Sequence, residues 1–153
     1  MRRADREITD PAQVAALLAR ERVLYLAMYD EGVPYVLPLS YGYDGDRTLF
    51  IHSAAAGRKV EVLRRHPRVC FAVVPDQELT RGEVSCGWSF KYRSVVGEGI
   101  VHFVEDEAEQ QRGLDVLMRQ HGGTGGDYQP ETLAKTVVLR IEITSLSGKQ
   151  SGY

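Results

Sequence analysis

Cysteine is scarce in this 153-residue sequence, with Cys70 and Cys86 the only two. That is too few for a disulfide scaffold, so both are expected as reduced thiols in the core or at a site edge. The four histidines, His52, His66, His102 and His121, stand at no metal-ligand spacing from one another or from the cysteines, and no metal site is expected. Long apolar runs are missing, and no apolar stretch follows Met1-Arg2-Arg3. Neither a membrane partner nor a signal peptide is expected, which leaves the cytoplasm as the compartment. Strong charge is missing too: a formal net charge of −2 gives no electrostatic case for nucleic acid. There is no Gly-x-Ser-x-Gly elbow and no Walker A loop. Gly97-Glu98-Gly99 runs on into Ile100-Val101-His102 within a strand pattern, so it is not a dinucleotide fingerprint.

What is present fits one soluble domain over residues 1–153, with 43% hydrophobic and 26% charged residues. Asp10-Pro11-Ala12-Gln13 is a helix start, and Val14, Leu17 and Leu18 form the apolar stripe of a helix to about Arg20. Residues 23–28 and 33–43 read as a hairpin around Asp30-Glu31-Gly32, with Pro38 marking an edge, bulge or break. Residues 48–52 form a strand and about 55–65 a helix. Strands over 68–74 and 92–104 follow, the second bent at Gly97 and Gly99. A helix capped by Asp106, a glycine-rich loop from His121, a short helix after Pro130 and a strand over 136–143 complete the chain. The tail from Gly148 reads as a loop. About six antiparallel strands with helices outside predict an α+β domain, a closed or split barrel rather than an open sheet.

Four groups carry candidate chemistry. The run from Phe50 through His52-Ser53-Ala54-Ala55-Ala56-Gly57 to Arg58-Lys59 is a strand, a small-residue loop and a helix start with two cations. Free N–H groups at a helix start suit an anion such as phosphate, with Arg58 and Lys59 supplying charge. The alternative is a solvated helix start, although two cations there oppose the helix dipole. His52 and Ser53 serve equally as strand-end packing or as cofactor contacts. Pro38, Leu39, Ser40 and Tyr41 combine backbone freed from pairing with polar and aromatic groups; taken alone they read as a bulged barrel strand. Trp88, Phe90, Lys91, Tyr92, Arg93 and Ser94 form an aromatic and cationic stretch suited to a ligand wall or a subunit interface.

Taken in order, these segments resemble the pyridoxamine-phosphate-oxidase-like flavin-binding split-barrel family, and more closely its nitroimidazole-resistance branch. The resemblance runs through Arg3-Ala4-Asp5-Arg6-Glu7-Ile8, Gly32 to Leu39, His52 to Lys59, Pro67 to Phe71, Tyr92 to Gly99 and Ile143 to Lys149. It implies a six-stranded antiparallel split β-barrel with peripheral helices that forms a homodimer, with two FMN sites at the subunit interface. It implies that Pro38, Leu39, Ser40 and Tyr41 line the isoalloxazine, mainly through backbone. His52 and Ser53 would lie near the ring or ribityl chain, Arg58 and Lys59 at the phosphate, and Trp88, Tyr92 and Arg93 would reach across from the second subunit. Ser40 stands where the family often has Asn, and Ala27-Met28 where it often has Ala-Thr. Other members hold FAD, a deazaflavin or haem. The implied function is an FMN-dependent oxidoreductase acting on a small electron-poor aromatic, with His52 as candidate proton donor. The competing readings are a flavin or haem carrier or sensor, with His52 as axial ligand, and a structural dimer without cofactor.

Overall fold

In the computed structural model, which describes residues 3–153, Asp10 caps the first helix through its carboxylate, which accepts from the Ala12 amide at 2.9 Å. Chain order is β1 (Glu7–Ile8), α1 (Pro11–Arg20), β2 (Val23–Asp30), β3 (Val33–Ser40), β4 (Gly42–Tyr43), β5 (Thr48–Ala54), α2 (Arg58–Arg65) and β6 (Arg68–Thr80). Then come β7 (Ser89–Val104), α3 (Glu107–Gln120), α4 (Pro130–Leu133) and β8 (Thr136–Ser151). All strand pairs are antiparallel, in the order β3-β2-β6-β7-β8-β5-β4, with β1 added to β8. The α+β class is as the sequence predicts. The strand count is eight rather than about six, because two-residue β1 and β4 join six longer strands. The path ends at β3 and β4 without closing, as in a split barrel.

Alternation decides which side chains enter the barrel. Leu24 and Leu26 of β2, Leu49 and Ile51 of β5, Phe71 and Val73 of β6, and Leu139 and Ile141 of β8 share one buried core with Leu17 and Leu18 of α1. A second core lies outside the sheet, where Phe50 and Val138 meet Leu114 and Val116 of α3. β5 and β8 are therefore covered on both faces, which explains the unbroken Leu49-Phe50-Ile51 run.

Two irregularities shape the sheet. Between Val73 and Asp76 the pairing of β6 with β7 shifts, and Pro75 sits in that break, where no ladder N–H is needed. Beyond it β6 and β7 continue as an arm from Asp76–Thr80 and Ser89–Arg93. The second break lies opposite Glu98 and Gly99, where Thr144 is the extra residue of β8. Arg47 clamps it: its guanidinium donates to the Ile143 carbonyl at 2.9 Å, and the Ile143 amide donates to the Arg47 carbonyl at 2.9 Å.

The sequence expectations need several corrections. The tail from Gly148 is not a loop; β8 runs to Ser151. The strand expected over 68–74 runs on to Thr80. The second hairpin strand stops at Ser40, and Tyr41 separates it from β4. Cys70 and Cys86 are free but exposed, so neither belongs to the core. On β6 the inward positions are Val69 and Phe71, which turns Cys70 outward.

Candidate functional site at the β5–α2 junction

Gly57 precedes α2 with a φ of 121°, a conformation that L side chains resist, and no side chain caps the helix. The first N–H groups of α2 therefore remain open to a ligand. Lys59 stands at this opening. Among the described residues no carboxylate lies within 4.0 Å of it, and desolvation lowers its pKa below the usual lysine value. A partly desolvated ammonium with no acidic partner is costly unless an anion joins it.

Arg58 is placed differently. Its Nε donates to Asp30 Oδ2 at 2.9 Å, and its guanidinium covers the Tyr35 ring at 4.2 Å. Asp30 also accepts from Arg65 at 2.9 Å through its other oxygen, and Arg65 holds Glu31. The tip of the β2–β3 hairpin is thus tied to α2 by a carboxylate shared between two arginines. The two neighbouring cations of the sequence have separated roles: Arg58 braces the hairpin, while Lys59 faces the opening.

His52 and Ser53 are neighbours in β5, so their side chains leave opposite faces of the sheet. His52 shares the face of Phe50, toward α3. Its pKa is lowered by desolvation first, then by the charge of Lys59 and of His121. The arrangement predicts an acid-side stability slope. Because folding depresses this imidazole, the unfolded chain binds more protons between the folded value and the unfolded one, about 6.5. Stability is then unaffected above that pH and falls as pH drops through it. His52→Gln is expected to flatten the fall in Tm between about pH 7.5 and 5.5; an unchanged slope would assign it to other groups.

His121 is expected in the glycine-rich loop. The structure places it at the end of α3, where its amide bonds the Leu117 and Met118 carbonyls, and its Nε2 is buried without a partner. Gln120 beside it accepts from the Tyr43 amide at 2.6 Å and donates to the carbonyls of Leu18 and Glu21. Gln120 thereby fixes the end of α3 to β4 and to the end of α1. No local sequence signal marks either residue, because their partners lie far away in the chain.

The edge strand next to the junction is β3. Pro34 and Pro38 share one parity, and lacking N–H groups they belong to the positions that face away from β2. The same parity sends the N–H and C=O groups of Val36 and Ser40 to the free edge. Pro38 and Ser40 are exposed there, whereas Leu39 packs against the barrel core. The Tyr41 side chain is fully buried, and its hydroxyl donates to the Leu18 carbonyl at 2.6 Å. Burial drives that phenol far above its usual pKa, so the side chain is a core strut and only the Tyr41 backbone is left to meet a ligand.

Trp88, Tyr92 and Arg93 lie elsewhere in the chain. Tyr92 pairs with Ser151 of β8, while His52 pairs with Val138, about 40 Å of strand contour away. Trp88 is exposed near the tip of the β6–β7 arm, with Arg81 at 5.8 Å from its ring. Arg93 reaches Asp76 at 3.5 Å and covers Tyr153 at 4.2 Å. One chain does not bring these residues to the β5–α2 junction. Among the described residues no group of three His, Cys, Asp or Glu is arranged to hold a metal ion, and no helix is long and apolar enough to cross a membrane.

The antiparallel split barrel with peripheral helices defines an α+β class of protein. The chain belongs to the pyridoxamine 5'-phosphate oxidase family, which it matches over residues 10–150. Among solved structures it is similar to a candidate 5-nitroimidazole antibiotic resistance protein from Bacteroides thetaiotaomicron. The two are 28% identical with a TM-score of 0.84, over 94% of this chain and 86% of that one. A FAD-binding protein from Mesorhizobium loti is also 28% identical, with a TM-score of 0.68 over 94% and 96% of the two chains. The FAD and haem binding protein from Mycobacterium smegmatis shares the fold, at 21% identity and a TM-score of 0.85, over 97% and 74%. No curated protein matches.

Proposed function

We propose that this protein binds FMN and uses it to reduce a small electron-poor aromatic, such as a nitro compound. The observation that carries the reading is the partly desolvated Lys59 at the uncapped start of α2, with no carboxylate within 4.0 Å among the described residues and with His52 nearby. These groups suit a phosphate monoester, and the free edge of β3 from Pro38 to Ser40 offers backbone groups to a flat heterocycle. The likeness to a candidate nitroimidazole resistance protein and to a FAD-binding protein supports a flavin and a nitro substrate. Bound FMN would supply the electron transfer. The chain's own part is to hold the phosphate at Lys59, orient the ring along β3, and present the His52 imidazole as a proton source.

The working unit of this proposal is a homodimer. Tyr25 and Tyr29 of β2, Val36 of β3 and Val96 of β7 are large apolar groups left exposed on the outward sheet face, and a second copy would cover them. The arm bearing Trp88, Tyr92 and Arg93 would then serve the partner's site rather than its own.

The visible spectrum of the purified protein tests the cofactor, with the released chromophore identified by mass. FMN supports the reading and leads to nitroreductase assays. FAD keeps the site and changes the anion it holds. A Soret band that disappears in His52→Ala replaces the reductase with a haem protein. A colourless protein with no thermal shift on adding FMN defeats the proposal.

A further inference from the structure

A second group of cations gathers at the opposite end of β8. β1 pairs with β8 so that Glu7 is opposite Lys149 and Ile8 opposite Gly148, which brings Arg6 alongside. On the other edge of β8, Lys149 is opposite Ser94 and Ser151 is opposite Tyr92. Alternation puts Tyr92, Ser94 and Lys149 on one face of the sheet, the outward face that also carries Val96. Lys149 Nζ lies 5.8 Å from the centre of the Tyr92 ring. Desolvation raises the Tyr92 phenol, but the interactions with Lys149 and Arg6 outweigh it and lower the pKa. Lys149 thus stands against the Tyr92 ring, and the charge of Arg6 acts on the same phenol.

The acids around this group, Asp5 and Glu7, offset its charge only in part. Asp5 is taken by Arg3, bidentate at 2.8 and 2.7 Å. Glu7 faces Lys149 across the ladder, yet among the described residues no carboxylate comes within 4.0 Å of Lys149 or Arg6. Two cations from different segments share a neutral phenol, with a serine hydroxyl beside it. Like charges held together in this way favour an anion between them.

We propose that Arg6, Tyr92, Ser94 and Lys149 form a second oxyanion site, distinct from the α2 junction, that takes the carboxylate or phosphate end of a small ligand. Arg6 and Lys149 supply the charge, Ser94 donates a hydrogen bond, and the Tyr92 hydroxyl turns from acceptor to donor when the anion arrives. Within one chain its residues lie apart from Lys59 and His52, so the site stands on its own cations; in the homodimer proposed above, Tyr92 would bring it to the edge of the partner's opening.

Two matched ligand pairs test it by calorimetry on the purified protein: 4-nitrobenzoate against the neutral 4-nitrobenzamide, and FMN against riboflavin. Lys149→Gln and Arg6→Gln are each expected to weaken one anionic member at least about tenfold and to leave its neutral counterpart unchanged. Loss on 4-nitrobenzoate places a substrate carboxylate in the site; loss on FMN places the cofactor phosphate there. Tyr92→Phe keeps both cations and the ring at a half-buried position, and it should weaken the anion by less than either charge removal. Wild-type protein that prefers neither anion, or variants that bind all four ligands as wild type does, would overturn the site. Wild-type protein that binds neither flavin but still prefers 4-nitrobenzoate defeats the flavin proposal and sustains this one.

Discussion

Lys59→Ala is expected to bind FMN about 10- to 100-fold more weakly than wild type and to purify largely colourless. The size follows from removing one charge-assisted contact to a phosphate, worth roughly 1.5–3 kcal/mol. Arg58→Ala is expected to lose far less, because the Arg58 guanidinium is already engaged by Asp30 and by the Tyr35 ring. Its exposed ion pair contributes at most about 1 kcal/mol to folding. Fluorescence titration of both variants with FMN and riboflavin separates phosphate contacts from ring contacts. A reversed order, with Arg58→Ala the colourless variant, would mean that phosphate displaces Asp30 from Arg58. Full flavin in the double variant would remove the anion from this junction altogether.

The largest effect on stability is expected at Gly42. An added Cβ there would stand 2.5 Å from the backbone nitrogen and Cα of Leu117, inside the closest approach real atoms make. The obstacle is the main chain of α3, so no rotamer change relieves it. Gly42→Ala should cost about 3 kcal/mol or more and lower Tm by roughly 6–12 °C. Gly45→Ala is the control. Nothing lies within 4 Å of its Cβ, and only its φ of 93° opposes a side chain. Its cost should stay near 1–2 kcal/mol. Gly42→Ala should also disturb ligand binding, because lifting α3 carries Gln120 and His121 away from β4 and β5. A Tm within about 2 °C of wild type would mean that α3 packs more loosely on β4 than the structure has it.

Features with short-range causes were legible in the sequence. Asp10-Pro11 announced α1, the small residues before Arg58-Lys59 announced the β5–α2 junction, and the alternation of Val137, Leu139, Ile141 and Ile143 announced β8. The junction could be read because His52, Gly57 and Lys59 lie within one turn of chain. What stayed hidden depended on distant partners. Beyond Ile143 the alternation breaks at Thr144, and Ser145 to Ser151 then look like a tail although β7 and β1 pair with them on both edges. Nothing near Arg58 signals that Asp30 occupies it. Nothing near Tyr41 signals that the Leu18 carbonyl receives its hydroxyl. Gln120 and His121 precede a run of glycines, which hides their contacts with β4, α1 and His52.

The extra residue at Thr144 sets different tolerances to length change along the chain. Before it, Ile141 and Ile143 point into the barrel; after it, Leu146 and Gly148 face inward while Ser147 and Lys149 face out. Deleting one residue between Ser145 and Ser147 would turn Lys149 toward Val14 and Ile8 and the packed Gly148 toward solvent, so descendants of this sequence should keep the spacing between Thr144 and Lys149 while the residues themselves drift. The Gly122–Gly126 stretch lies under no such constraint, since it joins α3 to α4 without entering the sheet. Insertions during divergence should collect there, leaving the count of residues in β8 as a more durable family mark than its composition.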